Sequence, residues 1–321
     1  PSEPPSNYPY AWPVRDVLSN WPLENLSYPG NGIHQSLCSF DYHSELDKAE
    51  RYRSLELPFV LRNDPRVEQT VRRWNQNGYL SNLLGKMPHR TEVSNESRYM
   101  YWVHPELAKK RLKQHHYNPP PQNWKPPTQM TKMTYEEYLR ISSDKNRPHK
   151  YYYFQIAACG SNIKKCVEEN AAEFLFDELV FFQPRKKGNN VYVVQPEKQK
   201  GIHCRFGMPG LSVAAHFDGS RNSIAVLTGS RRYWLAHPRE CSKLGLYPLD
   251  HPSARHSRLS WNSTDAASDA LLSEVVLQPN DVLYLPTHWF HWIVSLDYNV
   301  QCNTRSGADT RHSSIIRQCG F

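Results

Sequence analysis

Short apolar runs separated by turn residues dominate the second half of the chain. They occur at 191–195, 211–215, 223–228, 232–236, 274–278, 282–286 and 292–296. Several short strands at this spacing are typical of a β-sandwich or a β-barrel. The pattern therefore predicts a mainly β core in this half, with helices on its flanks.

The middle of the chain mixes helix and strand signals. The apolar run 57–61 predicts an early strand, and Asp64-Pro65 predicts a helix start, because Asp caps helices and Pro suits the first helical position. Thr134-Tyr-Glu-Glu137 has the form of a capping box. The aromatic and β-branched run 151–156 predicts a further strand, and 164–176 predicts a helix.

Residues 1–56 carry a different pattern. They are rich in Pro, Ser, Asn and aromatic residues and show no sustained hydrophobic period. Such a composition disfavours regular elements. We therefore expect an irregular, Pro-rich N-terminal arm laid over the core.

Composition limits the class of protein. The 321 residues are 39% hydrophobic and 22% charged, which is typical of a globular protein with a core of its own. No stretch approaches the roughly 18–20 unbroken apolar residues of a membrane-spanning helix. The formal net charge of +8 is compatible with nucleic acid as a partner. Because the excess is modest and spread along the chain, a merely basic surface is the favoured interpretation.

Cysteines and glycosylation motifs bear on the compartment. The seven Cys include no CxxC pair, which argues against a zinc ribbon, and their disulfide state stays open. Asn-x-Ser/Thr motifs begin at Asn25, Asn95 and Asn262, and the sequence starts at Pro1 rather than Met. Together these features tilt the expectation toward the secretory pathway, with cytoplasm or nucleus as the alternative.

The candidate chemistry begins at His216-Phe-Asp218. In a strand, residues two apart point to the same face, so the imidazole and the carboxylate would lie together. This pair suits a divalent transition metal, and a third ligand, His, would leave positions open for substrate and oxygen. An isolated His-x-Asp is more often a core pair. His288 and His291 both follow the strand at 282–286, and pattern alone does not choose between them.

Three motifs in order carry a family resemblance. His216-Phe-Asp218, then Thr228-Gly-Ser-Arg-Arg-Tyr-Trp-Leu235, then Asp281-Val-Leu-Tyr-Leu-Pro-Thr-His-Trp-Phe-His291 resemble the JmjC (cupin-like) iron(II)/2-oxoglutarate oxygenases. The resemblance is greatest to the small hydroxylase branch, such as the asparaginyl hydroxylase of hypoxia-inducible factor. It implies a double-stranded β-helix (jelly-roll or cupin) domain over about 57–305, followed by a tail at 306–321.

The resemblance also implies a site. His216, Asp218 and His291 would be the catalytic Fe(II) ligands, since the family's last ligand follows two aromatic residues, here Trp289-Phe290. The far carboxylate of 2-oxoglutarate would be held by Arg231, where the small hydroxylases usually carry Lys. Arg232 is the alternative for that role.

Further matches concern the pocket. Tyr153 or its neighbour Tyr152 would donate to the same carboxylate, and Asn222 and Asn303 match polar positions of the family's pocket. Val213 stands where some members have a cosubstrate-binding Thr.

The expected function is that of a dioxygenase that uses Fe(II), 2-oxoglutarate and O2 to hydroxylate a C–H bond, with a protein or peptide side chain as the favoured substrate. The alternatives are a tRNA-base hydroxylase, which the basic charge would suit, and a non-catalytic cupin-fold metal- or ligand-binding protein. Arg305 either reaches the substrate or pairs at the barrel rim. The sequence leaves a homodimer open.

Overall fold

The computed structural model of this chain describes residues 1–30, 34–105, 123–144, 149–159, 172–183, 191–259 and 269–321. Its strands there are β1 (Trp12–Pro13), β2 (Ser39–Asp41), β3 (Phe59–Arg62), β4 (His89–Ser94), β5 (Arg98–Tyr99), β6 (Gln129–Met133), β7 (Tyr151–Ala158), β8 (Gln199–Gly207), β9 (Ser212–Phe217), β10 (Asn222–Thr228), β11 (Arg231–Ala236), β12 (Leu271–Leu277), β13 (Val282–Leu285), β14 (Phe290–Ser295) and β15 (Asn299–Ser306). The α-helices are α1 (Val14–Asn20), α2 (Leu46–Ser54), α3 (Pro65–Trp74), α4 (Tyr79–Leu84), α5 (Tyr135–Ser143), α6 (Leu175–Glu178) and α7 (Ser313–Gln318).

The strands form two sheets. One has the order β1-β12-β11-β14-β9-β5, and the other has the order β2-β3-β13-β10-β15-β8-β7-β4-β6. Apolar side chains from both sheets meet between them, among them Ile224 and Leu283 from the larger sheet and Leu235 and Ile293 from the smaller. This arrangement confirms the predicted mainly β, jelly-roll core with flanking helices.

Strand alternation divides β11 between the two faces of its sheet. Tyr233 and Leu235 belong to the core between the sheets, whereas Trp234 packs in the cluster on the outer face. Because the strand period is two, Arg231 shares the inner face and Arg232 the outer face. Both arginines are almost completely buried.

Helices cover the outer faces. Helices α2 to α5 pack on the larger sheet through residues such as Tyr52, Trp74 and Tyr138. Helices α1 and α7 pack on the smaller sheet through Val17 and Ile316. No helix in the described part of the chain is long and apolar enough to cross a membrane.

Residues 1–56, which the sequence predicted to be an irregular arm laid over the core, contain regular elements. This segment contains α1 and α2, and its short strands extend both sheets, since β1 pairs with β12 and β2 pairs with β3. Helix α1 buries Val14, Val17 and Leu18, which have the i, i+3, i+4 spacing of one helix face. The helix is only two turns long, so the surrounding prolines obscured its period.

A buried ionic cluster fastens this segment to the smaller sheet. The Arg232 guanidinium pairs with Glu274, which also contacts His34 Nδ1. Arg232 Cζ lies 3.9 Å from the centre of the Trp21 ring, and its Nη2 donates to the Trp21 carbonyl. The N-terminal segment is therefore held against the smaller sheet by buried contacts.

Several local predictions are confirmed. The run at 57–61 overlaps β3, the Asp64 carboxylate accepts from the Arg66 amide at the start of α3, and the capping box at Thr134 opens α5. The run at 191–195 forms a buried turn instead of a strand, with the Tyr192 hydroxyl donating to Asp64. The helix predicted over 164–176 lies largely outside the described residues.

Two disulfides between described residues join distant parts of the chain. Cys204–Cys302 links β8 to β15, and Cys241–Cys319 links the 3-10 helix Pro238–Lys243 to the residue after α7. The 306–321 tail, expected only as an extension, is thereby fastened to the core.

Candidate metal centre and cavity

His216, Asp218 and His291 come together at one end of the space between the sheets. Strands β9 and β14 are antiparallel neighbours, and His291 lies directly opposite His216. One potential ligand atom from each of the three residues lies within 4.8 Å of those of the other two. The structure thus assembles the three residues that the sequence resemblance assigned to metal binding.

A bulge in β9 sets the direction of the Val213 and His216 side chains. Opposite β14, His216 pairs with His291, but Ile293 pairs with Val213, so β9 carries one residue more than its partner. The extra residue lets Val213 and His216 both face the cavity although they are three positions apart.

Backbone carbonyls orient both imidazoles. His216 Nδ1 lies 2.8 Å from the Ala214 oxygen, and His291 Nδ1 lies 3.2 Å from the Trp289 oxygen. When each Nδ1–H donates to its carbonyl, each Nε2 keeps a free lone pair for a metal. Burial lowers the pKa of both histidines, which favours the neutral, ligating form.

A chain of polar groups holds the carboxylate. Asp218 Oδ2 accepts from Asn222 Nδ2 at 3.3 Å, and Asn222 Oδ1 accepts from Asn303 Nδ2 at 2.9 Å. Asn303 Oδ1 in turn accepts from Arg205 Nη1 at 2.8 Å. On its other side, Asp218 Oδ2 lies 3.3 Å from Arg305 Nε. Asn222 and Asn303 therefore line the cavity and also link Asp218 to Arg205.

The ionisation of Asp218 follows from these neighbours. Burial acts to raise the pKa of its carboxyl group, but the charge of Arg305, and then the two site histidines, outweighs burial and holds the pKa well below its ordinary value. The carboxylate is therefore charged at neutral pH. One carboxylate and two neutral imidazoles fit Fe(II) in a two-histidine, one-carboxylate site with open positions.

The triad opens into a cavity of about 1080 Å³. Val213, Ile224 and Ile293 give it an apolar wall near the triad. Tyr153 and Gln301 contribute polar groups to its lining. Of the two tyrosines that the sequence left open, Tyr153 lines the cavity, whereas Tyr152 packs against the cluster on the outer face of the larger sheet.

Arg231 lies behind Tyr153 and does not itself line the cavity. Its Nη1 is 3.4 Å from the Tyr153 hydroxyl, and its Nε donates to Asn299 Oδ1. Its Nη2 and the nearby Ser295 Oγ are buried without a hydrogen-bond partner in the described structure. A Cβ on Gly207 would approach both atoms, to 3.0 and 2.6 Å, so glycine preserves their space. An unpartnered guanidinium N–H suits an anionic group such as the far carboxylate of 2-oxoglutarate.

The other residues that the sequence analysis named lie at different positions relative to the cavity. Arg232 faces away from the cavity, toward Glu274. His288 lies in a turn with φ of 69°, and its amide donates to the Asp218 carbonyl, so it supports the site through its backbone. Arg305 pairs with Asp218 at the cavity wall.

Sequence reasoning missed several cationic or aromatic residues that line the cavity. Among them are His203, Arg205, Arg255 and His256. The His256 ring stacks on His216, with centroids 4.8 Å apart and planes inclined by 15°. The only available signal was on β8, where Ile202, Cys204 and Phe206 alternate with His203 and Arg205.

A jelly-roll core with a His-x-Asp and a distant His in its cavity has the architecture of a cupin-type domain. The sequence profile of the family described as "Cupin-like domain" matches residues 45–304, so this chain belongs to that family. The match begins inside the segment that sequence analysis assigned to the N-terminal arm.

Curated relatives share parts of the chain. "tRNA wybutosine-synthesizing protein 5" of Homo sapiens is 31% identical over 104 residues, which are 31% of each chain. The protein of the same name from Danio rerio is 26% identical over 181 residues, 48% of this chain and 54% of the relative. "Lysine-specific demethylase 8" of Xenopus tropicalis is 30% identical over 107 residues, 32% of this chain and 24% of the relative. The chain thus spans about a quarter to a half of the length of these relatives, which their names describe as enzymes.

Proposed function

We propose that this protein is an Fe(II)- and 2-oxoglutarate-dependent dioxygenase that hydroxylates a C–H bond on a protein side chain. The observation that carries the proposal is the His216–Asp218–His291 cluster, with two histidine Nε2 atoms and one ionised carboxylate at the wall of a large cavity. Membership of the Cupin-like family, together with a relative named a demethylase and another named for the JmjC domain, is consistent with oxygenase chemistry.

Each proposed residue has a defined task. The three ligands hold Fe(II), and the Ala214 and Trp289 carbonyls keep the two imidazoles in the ligating tautomer. Asn222 orients the carboxylate of Asp218. Tyr153, which lines the cavity, would receive the far carboxylate of 2-oxoglutarate, and Arg231, which lies behind Tyr153, would supply the positive charge. When bound, iron and 2-oxoglutarate would supply the oxidising chemistry together with O2, of which one oxygen atom enters succinate, as carbon dioxide is released, and the other enters the substrate.

The cavity walls would control access of water. Val213, Ile224 and Ile293 place apolar surface beside the triad, which favours burial of the reacting carbon. Because Val213 has no hydroxyl group, anchoring of the cosubstrate would depend on Arg231 and Tyr153.

The test is succinate production by the purified protein with Fe(II), ascorbate, oxygen and 2-oxoglutarate, without added substrate. We expect slow uncoupled turnover that N-oxalylglycine blocks and that His216→Ala abolishes. Stoichiometric metal binding without any turnover would reject the dioxygenase and support the non-catalytic cupin-fold binding protein instead.

A tRNA-base hydroxylase is the second candidate, because several relatives are named tRNA wybutosine-synthesizing protein 5 and the chain carries a net charge of +8. Binding of tRNA that weakens steeply with salt, together with an added oxygen on a tRNA nucleoside, would favour this substrate. Absence of both results would leave the protein side chain as the proposed target.

A further inference from the structure

The cavity wall carries an excess of positive charge. Its cationic members are Arg90, Lys198, Lys200, Arg205, Arg255 and Arg305, and its acidic members are Glu92, Glu197 and Asp218. Glu92 is already engaged, since it accepts from Arg90 and from Gln155. When Asp218 binds a metal, few acidic side chains among the described residues remain to balance the cations beside the triad.

Arg255 is the first cation of interest. Its guanidinium carbon lies 5.7 Å from the centre of the Phe217 ring, and no hydrogen bond or ion pair to it occurs within the described part of the chain. Its backbone has φ of 70°, a conformation that costs a non-glycine residue energy and that is concentrated at functional sites. Arg255 therefore presents beside the triad a guanidinium without an acidic partner among the described residues, on a strained backbone position.

Arg305 and Arg205 border the same space. The Arg305 side chain is 30% exposed, and its one carboxylate neighbour in the described structure is Asp218. Arg205 bonds to the neutral amide of Asn303 and has no carboxylate within ion-pair distance among the described residues. Partly buried guanidinium groups without acidic partners are strong binding groups for carboxylate or phosphate.

We propose that Arg205, Arg255 and Arg305 form a subsite for an anionic group of the substrate, and that this group is the side-chain carboxylate of an Asp or Glu residue in a protein. The inference rests on the proposed function, because it assigns the substrate class of the same cavity.

Proximity to the metal ligand favours a carboxylate over a phosphate. Arg305 Nε is 3.3 Å from Oδ2 of the Asp218 carboxylate, so an anion held by Arg305 would lie close to the reacting carbon. In Asp and Glu the carboxylate is bonded directly to a CH2 group that can be hydroxylated. In a nucleotide the sugar separates the phosphate from the base. The subsite geometry thus matches a short acidic side chain better than a nucleic-acid backbone.

The experiment measures binding to protein loaded with Mn(II) and N-oxalylglycine, in which no turnover occurs. The probes are a short capped Gly/Ser peptide with one central Asp, the same peptide with Asn, and a single-stranded RNA oligonucleotide. The variants are Arg255→Gln and Arg305→Gln. Arg305→Lys retains the charge, and Arg72→Gln is the matched control on the exposed face of α3, where the Arg72 side chain is 71% exposed.

We expect the wild type and Arg72→Gln to bind the Asp peptide at least about tenfold more tightly than the Asn peptide, as one charge-assisted contact allows. Arg255→Gln and Arg305→Gln should each lose most of this preference while their melting temperatures show a folded protein. Arg305→Lys should keep part of it.

Equal binding of the Asp and Asn peptides by the wild type would overturn the proposal. So would RNA that displaces the peptide and loses affinity in the same variants, because the anion would then be a phosphate. A raised 2-oxoglutarate KM in Arg255→Gln with unchanged peptide preference would assign the arginines to the cosubstrate. If the wild type produces succinate but binds the Asp and Asn peptides equally, only the subsite is rejected. If it prefers the Asp peptide but produces no succinate, only the dioxygenase is rejected.

Discussion

Single atoms fixed by their neighbours determine what the site can bind. The two histidines have the same arrangement, in which Nδ1 faces the carbonyl of the residue two positions earlier and Nε2 is left for a ligand. Asp218 is fixed from both sides, by Asn222 and by Arg305. Such outer contacts orient metal ligands and raise affinity. The ligand set is therefore preorganised by contacts within the protein.

The first residue-scale prediction concerns the ligands. His216→Ala or Asp218→Ala should reduce succinate production by at least about a hundredfold, because each change removes one of three metal ligands. Calorimetric titration with Co(II) should show the loss of binding directly, while circular dichroism reports an intact fold. His288→Asn is the control, since Asn tolerates the positive φ and His288 offers no ligand. Undiminished turnover in either ligand variant would disprove the assignment.

The second residue-scale prediction concerns Arg231. Arg231→Gln should raise the KM for 2-oxoglutarate about tenfold or more, because a buried charge-assisted contact would be lost. Arg231→Lys, which preserves the charge, should restore part of the affinity. Initial rates against 2-oxoglutarate concentration provide the measurement, with thermal melting as the check on folding. An unchanged KM in Arg231→Gln would show that another cation, such as Arg205 on the cavity wall, holds the carboxylate.

At the scale of elements, the sequence predicted the strands that carry the triad but missed β8 and β15, two of the strands that form the opposite wall. Strands β9 to β14 contain compact apolar runs, because both of their faces are buried. Strands β8 and β15 alternate apolar residues such as Cys204 and Cys302 with polar ones such as Arg205 and Asn303, which face the cavity. A search for apolar runs misses such strands, and Arg205 was missed with them.

The N-terminal segment shows a second limit of prediction from sequence, which concerns long-range contacts. Its contacts with the smaller sheet involve partners more than 200 positions away, such as Arg232 with the Trp21 carbonyl and His34 with Glu274. No local pattern encodes such pairs. The bulge in β9, which aims His216, is likewise a property of pairing with β14 and not of the β9 sequence.

The element-scale prediction tests how the segment is fastened. Glu274→Ala should lower the free energy of unfolding by about 3–5 kcal/mol, because it leaves the buried Arg232 charge without its carboxylate. The double variant Arg232→Met with Glu274→Leu should recover most of this loss, since both charges are removed together. Urea unfolding monitored by tryptophan fluorescence measures both. A double variant less stable than Glu274→Ala would contradict the role of the uncompensated charge.

At the scale of the whole molecule, the disulfides link segments that are far apart in the sequence. Cys204–Cys302 joins the two strands whose opposite faces carry Arg205 and Asn303, so it braces the cavity wall from behind. Cys241–Cys319 joins residues 78 apart and anchors the end of the chain. Disulfides of this kind form and persist in oxidising compartments.

The whole-molecule prediction is an order of reduction. Under native conditions dithiothreitol should reduce Cys241–Cys319 before Cys204–Cys302, because Cys319 is partly exposed whereas Cys204 and Cys302 are completely buried. Alkylation at timed intervals, followed by peptide mass spectrometry, gives the order. Removing the first bond with Cys241→Ala and Cys319→Ala should lower the free energy of unfolding by about 2–5 kcal/mol, since the bond closes a long loop in the unfolded chain. Earlier or simultaneous labelling of Cys204 would show that the cavity wall opens more readily than its burial indicates.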